Sequence, residues 1–258
     1  MGKLHISVAA EKIAHVMGIS VTNSLLTSLI VMFLLVFFAL KVNSQKPVGK
    51  TVKRTTLFLI FEMIIEGLYN FFKNIAGEKT DRLISLLLTF FLFILLGNWI
   101  GLLPGVGSIG FYEHTDHGEA FIPLFRGPNA DLNTTLALAL ISVTTTQVLS
   151  IKALGIKGYI SRFINFKNPI KMFVGILELI SEFAKLLSFS FRLFGNIFAG
   201  EVLLSVMFFL IPVLVPLPFL GLEVFVGFVQ ALVFTMLTAI FIVVATEHHE
   251  EEVKVDGA

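Results

Sequence analysis

The sequence predicts an all-α integral membrane protein. Five helices cross the membrane, one amphipathic helix lies at its interface, and the C-terminal part forms a long, strongly tilted helical hairpin. Three observations carry this. Of 258 residues, 56% are hydrophobic and only 14% are charged, whereas an average soluble domain is about a quarter charged. Several apolar runs reach the roughly 20 residues that a helix needs to cross about 30 Å of hydrocarbon. One further apolar run carries ionisable side chains on a single helical stripe.

The elements follow in order as one membrane domain. Residues 1–20 form a polar outer segment with no apolar core behind a basic start, so it is not expected to be a cleavable signal peptide. Residues 21–42, 83–103 and 132–152 are membrane helices, and their apolar runs 21–40, 83–103 and 132–151 contain no charge. The final helix, 217–246, carries only Glu223, and residues 247–258 form a solvated tail. The region 169–211 is apolar too, yet it holds Lys171, Glu178, Glu182, Lys185, Arg192 and Glu201.

Charge asymmetry sets the orientation. The loop 41–54 holds Lys41, Lys46, Lys50, Lys53 and Arg54 with no acid, and 152–171 holds Lys152, Lys157, Arg162, Lys167 and Lys171 with none. The loop 104–131 holds Arg126 against Glu113, Asp116, Glu119 and Asp131. The basic loops are therefore expected inside and the acidic loop outside. If residues 55–76 also crossed, the later loops would fall on the wrong sides. Glu62, Glu66 and Lys73 cluster within about 40° of helix at roughly 100° per residue, which suits an amphipathic helix lying along the inner interface. The N-terminus is then outside and the C-terminus inside.

The charged helix has the most to say about function. With Glu178 at the origin of a helical wheel, Glu182 falls at about 40°, Lys185 at about −20° and Arg192 at about −40°. Asn196 returns to the origin, five full turns on, and Glu201 falls at about 140°, opposite Arg192. Ionisable groups at membrane depth cost roughly 2.5–3.5 kcal/mol each on insertion scales, so they mark pathways. Glu178, Glu182 and Lys185 can also simply pair along the helix. Arg192 has no acid within one turn and stays charged, so it must face water or a carboxylate of another chain. As one helix, Pro169 to Leu210 would extend about 63 Å, twice the hydrocarbon thickness, at ~1.5 Å per residue. It must then tilt steeply, or break at Gly195 or Gly200.

Other features exclude functions. The net charge of +1 gives no reason to expect nucleic acid as a partner, and the absence of cysteine rules out disulfides and thiolate metal sites. The segments Glu113-His114-Thr115-Asp116-His117-Gly118-Glu119 and Glu247-His248-His249-Glu250-Glu251-Glu252 read as solvated, so neither a metal nor another cofactor is expected. There is no phosphate-binding loop, so the chain is not expected to be an enzyme on its own.

The stretch Ser188-Phe189-Ser190-Phe191-Arg192-Leu193-Phe194-Gly195-Asn196-Ile197-Phe198-Ala199-Gly200-Glu201 resembles the signature of bacterial F-type ATP synthase subunit a. Ala130-Asp131-Leu132-Asn133-Thr134-Thr135-Leu136 and Phe228-Val229-Gln230-Ala231-Leu232-Val233-Phe234 add to the resemblance. The resemblance implies a proton-translocating stator subunit in the bacterial plasma membrane. It would form two offset half-channels against a rotating c-ring, with a subunit b dimer and the other F0F1 subunits as partners. Arg192 matches the arginine that separates the half-channels, and Asn196 and Gln230 match its polar neighbours. Glu201 and Glu223 match outer relay positions, with Asp131 and Asn133 nearer the mouth, and Glu178 matches the cytoplasmic half-channel. Where some members carry His, this chain has Glu223; two nearby carboxylates cannot both ionise cheaply, so the pair should titrate as a unit. Such a pair suits a proton or Na⁺, so the resemblance leaves the ion open. A self-contained secondary transporter is the alternative, although no internal repeat supports it.

Pro212, Pro216 and Pro218 should fold the last two helices into an antiparallel hairpin. Its register puts Arg192 level with Gln230 and Glu201 level with Glu223, about 13 Å further along the axis.

Topology is directly testable because the chain has no cysteine of its own. Single cysteines at Ser44 and Ser108 should react with impermeant reagents from opposite sides of the membrane. Labelling of both from one side would overturn the assigned orientation.

Overall fold

The computed structural model describes residues 9–16, 18–44, 56–115, 118–163, 169–211 and 214–255. The basic residues Lys46, Lys50, Lys53, Arg54 and Lys167 lie outside these, as does Pro212.

Six α-helices make up most of the chain: α1 (Asn23–Ser44), α2 (Thr56–Ala76), α3 (Thr80–Ile100), α4 (Leu132–Phe163), α5 (Pro169–Leu210) and α6 (Pro216–Val255). Among the described residues five stretches are long and apolar enough to cross a membrane: Asn23–Val42, Glu62–Ile100, Leu132–Phe163, Pro169–Leu210 and Pro216–Thr246. The second joins α2 to α3, but the chain bends between them. A 3-10 turn at Gly77–Lys79 intervenes, and the Tyr69 hydroxyl donates to Asp81 at 2.7 Å. That bond brings together residues that would lie about 18 Å apart on a straight helix. α2 buries Leu68, Phe72 and Ala76, a period of four, and exposes Glu62, Glu66 and Lys73. The sequence-level amphipathic pattern is thus expressed in packing.

Two features correct the all-α expectation. The segment expected to be a polar N-terminal arm forms an antiparallel hairpin of β1 (Lys12–Val16) and β2 (Ile19–Thr22). The loop 104–131 forms a second, of β3 (Gly110–Thr115) and β4 (Gly118–Pro123). Polar–apolar alternation over so few residues is a weak signal beside long apolar runs, and the pairing satisfies backbone groups that helices leave aside. Both hairpins sit at the same end of the bundle, since Asn23 donates to Glu11 and to the Pro123 carbonyl.

Helix limits differ modestly. α4 continues to Phe163 with a break at Gly155, whose φ of 73° is the left-handed conformation that glycine tolerates. α6 runs on through residues 247–255, which were expected to be a solvated tail. α5 is a single helix of 42 residues with no break at Gly195 or Gly200.

α5 and α6 pack antiparallel. Phe189 packs against Phe234 and stacks on Phe241, while nearer the turn Asn196 bonds Gln230. Pro216 opens α6, where its missing N–H is harmless. The core lies between α3, α4, α5 and α6, with Phe90, Phe91, Ile94, Leu193, Phe234 and Ile242 fully or nearly buried. Polar cross-links join the same helices. Asn98 donates to the Gly227 carbonyl at 2.9 Å and accepts from Asn129 at 2.7 Å, and Ser142 meets Thr238 at 2.8 Å.

Asn98 is 4% exposed, so its loss takes a partner from the Gly227 carbonyl on α6 and one of two from the Asn129 amide, which keeps only the Ile94 carbonyl. Asn98→Leu should destabilise the folded protein by about 1–3 kcal/mol. Unfolding in detergent should register this, whereas Thr89→Leu on the exposed side of α3 should change little.

Candidate functional site

The polar groups fall into three groups along α5. At the level of Arg192, the helix turns Leu193, Phe189 and Ile197 into the core and Arg192, Gly195, Asn196 and Ala199 outward. The Arg192 guanidinium donates only to Ser188, one turn back on its own helix, at 3.4 Å. Among the described residues it has no carboxylate partner. Asn196 is on the same face and donates to the buried Gln230 at 2.8 Å. Gln230 therefore bonds Asn196, one helical turn along α5 from Arg192, the residue with which the sequence register puts it level. The reason is that Arg192 points out of the bundle, while Asn196 sits close enough to the seam to reach α6.

The second group lies toward the hairpin end. Glu223, only 7% exposed, projects from α6 so closely onto Gly200 that a Cβ there would collide with its carboxylate. A glycine is thus required on α5 for Glu223 to occupy this position. Glu201, the next residue, does not bond Glu223. It accepts instead from Arg126 of the β4–α4 connection, at 3.4 Å. Arg126 is 6% exposed; it also donates to the Ala9 carbonyl at 3.0 Å and lies over the Phe198 ring. Its backbone N–H donates to Thr27 of α1. Nearby, Asp131 is buried, accepts from Ser24 at 2.6 Å, and caps the start of α4 through the backbone and side-chain amides of Asn133. An acceptor at a helix N-terminus is favourably placed for its orphan N–H groups. Asp131 and Asn133 are thereby brought together as a cap.

The third group lies toward the other end. Glu178 is paired with Arg162 of α4, and Glu182 with Lys185 at 2.8 Å along α5. Gln147 donates to Glu182 at 2.7 Å, and Tyr159 donates to Gln147 at 2.9 Å. The pairing of Glu182 with Lys185 is the plain helical one, whereas Glu178 finds its partner on another helix. A close approach makes that possible: at Gly175 a Cβ would strike the Phe163 backbone carbonyl, so α4 ends directly against α5. Among the described residues no group of three or more metal-ligating side chains forms, and the side chains of Glu113–Glu119 and of 247–258 lie outside them.

The structure adds residues that sequence reasoning did not single out. Arg126 was visible only as the lone base among four acids of loop 104–131. Gly200 stood out only as a possible helix break, and Gln147 and Tyr159 gave no signal, because close approach and cross-helix bonding are not encoded in spacing along one stretch of sequence.

Comparisons with known proteins agree with this architecture. Residues 25–243 match the family described as the ATP synthase A chain. The chain is 42% identical over 193 residues to ATP synthase subunit a of Desulfotalea psychrophila, covering 73% of this chain and 71% of that one. It is 33% identical over 241 residues to ATP synthase subunit a of Desulforamulus reducens, covering 90% and 82%. It is 32% identical over 234 residues to that of Moorella thermoacetica, covering 90% and 94%.

Proposed function

The chain belongs to the ATP synthase subunit a family, and from that premise we propose how its own residues divide the path of the proton. It is a multi-pass membrane subunit of F0, working in a complex with the other F0F1 subunits and not itself an enzyme. Its proposed neighbours are a c-ring, across which it presents the exposed face of α5, and a subunit b dimer. The membrane is the bacterial plasma membrane, with the hairpin end outside and the end of α6 in the cytoplasm. α2 lies along the cytoplasmic interface, and α5 crosses at a steep tilt.

Two half-channels follow from the grouping along α5. The outer one is bordered by Asp131, Asn133, Glu201 and Glu223. The cytoplasmic one runs past Glu182 and Glu178. Between them stands Arg192, with Asn196 and Gln230 as neighbouring dipoles. The observation that carries this reading is the exposure of Arg192 on α5 with no carboxylate beside it among the described residues. A guanidinium does not lose its proton at accessible pH, and leaving it unpaired in hydrocarbon is strongly unfavourable. Its counter-ion must come from outside the chain, and a passing carboxylate of the ring supplies one. While that carboxylate faces Arg192 it is held ionised, and the same positive charge repels a proton. Protons therefore cannot move directly from one half-channel to the other. They must be carried around on ring carboxylates, which couples ion flow to rotation.

Arg192→Ala should abolish proton-driven ATP synthesis while leaving the complex assembled. Arg192→Lys should also fail substantially, because the lysine ammonium lacks the planar fork and fixed reach of the guanidinium. Membranes carrying Arg192→Ala that synthesise ATP at near-normal rates would overturn the assignment.

A further inference from the structure

The pairing of Glu201 with Arg126 poses a question for any relay between Glu201 and Glu223. The Glu201 carboxylate is engaged, and its partner is not the other relay carboxylate but a cation. We propose that Arg126 is a positioning residue for proton transfer: it holds Glu201 away from Glu223 while Glu201 is ionised, and releases it when Glu201 takes up a proton. This rests on the reading of Glu201 and Glu223 as successive relay groups.

Four observations support it. First, Arg126 does not depend on Glu201 for its position. Its other Nη donates to the Ala9 carbonyl at 3.0 Å, the guanidinium lies 5.9 Å from the Phe198 ring centroid, and its backbone N–H is tied to Thr27. When Glu201 leaves, the cation stays. Second, the contact is long and uses one nitrogen, at 3.4 Å, where a strong guanidinium–carboxylate bond lies at roughly 2.7–2.9 Å and is often bidentate. Most of its attraction is therefore Coulombic, and protonation of Glu201 removes that part. Third, the Glu201 side chain is 42% exposed within the chain, so it has room to change rotamer. Fourth, the destination is adjacent: Glu223 lies against Gly200, one residue or about 100° of helix from Glu201. Among the described residues no hydrogen bond occupies the Glu223 carboxylate, which is free to accept one.

The charges facing Glu201 are thus Arg126 from the β4–α4 connection, Glu223 from α6, and Glu11 from the N-terminal segment, whose carboxylate is bonded to Asn23. The cycle balances. A proton from outside binds the Glu201 carboxylate, and the resulting neutral carboxyl leaves Arg126. It then donates that proton to the ionised Glu223. Glu201, again an anion, returns to Arg126, so no second proton can follow until the first has moved on.

The test uses the intact ATP synthase in proteoliposomes, with ATP synthesis measured against pH on the entry side. Arg126→Gln should lower the maximal rate roughly tenfold to a hundredfold, the upper end being the scale on which a misplacement of about 1 Å acts. It should also move the alkaline limb of the profile to higher pH by about half a unit or more, since a positive charge opposing proton capture has gone. Arg126→Lys keeps the charge and should keep the profile, at a rate within about threefold of the original. An assembled Arg126→Gln complex with an unmoved profile, whatever its rate, would reduce Arg126 to a structural role and overturn the proposal. If Arg126→Gln does not assemble, Arg126→Lys decides alone: a moved profile, or a rate below about a tenth, overturns it, and the expected behaviour supports it. Glu201→Gln tests the underlying relay separately, because an undiminished rate there would sink the reading of Glu201 whatever Arg126 does.

Discussion

Two close approaches to one unbroken helix organise the ionic chemistry of this protein. At Gly175 the end of α4 presses its backbone against α5, and at Gly200 the Glu223 carboxylate does so from α6. The two glycines are 25 positions apart on α5, about 37 Å of helix. Each brings a charged residue of another segment within reach of α5: Arg162 to Glu178 at one end, and Glu223 beside Glu201 at the other. A side chain at Gly175 would push the end of α4 away, and one at Gly200 would displace the Glu223 carboxylate, so the polar cluster at either place would lose its geometry. Because α5 has no break between them, the clusters are held at a fixed separation, with Arg192 between.

This arrangement answers a requirement that the bilayer imposes. Hydrocarbon offers no hydrogen bonds, so polar groups at depth must be satisfied within the protein or face water. Most of them comply by pairing across helix seams, as Asn98 does with Gly227 and Asn129, Ser142 with Thr238, and Gln147 with Glu182. Arg192 does not, and is exposed on α5 with one weak bond to its own helix. In the proposed mechanism that residue meets its counter-ion on a partner subunit.

The β-hairpins contribute through what they anchor. The N-terminal one brings the Ala9 carbonyl and Glu11 over the top of α1, where Glu11 meets Asn23 and Ala9 meets Arg126. Arg126 in turn reaches Glu201. Segments that sequence reasoning treated as polar surroundings thus form the rim of the cluster that begins the proposed proton path.

By itself the sequence determined the apolar helices, because length and freedom from charge are one-dimensional properties that a bilayer reads directly. It also determined which residues of α5 share a stripe, since helical periodicity fixes angles within one element. The opposition of Arg192 to Glu201 was legible in that way, and so was the reversal of the chain before α6. The identity of partners across elements was not. That Gln230 meets Asn196, that Glu201 takes Arg126 in place of Glu223, and that Glu178 takes Arg162 were decided only by tertiary structure. Such pairings depend on how near two helices come and how each is rotated about its axis. At Gly175 the missing side chain lets the end of α4 close onto α5, and at Gly200 it leaves room for the Glu223 carboxylate.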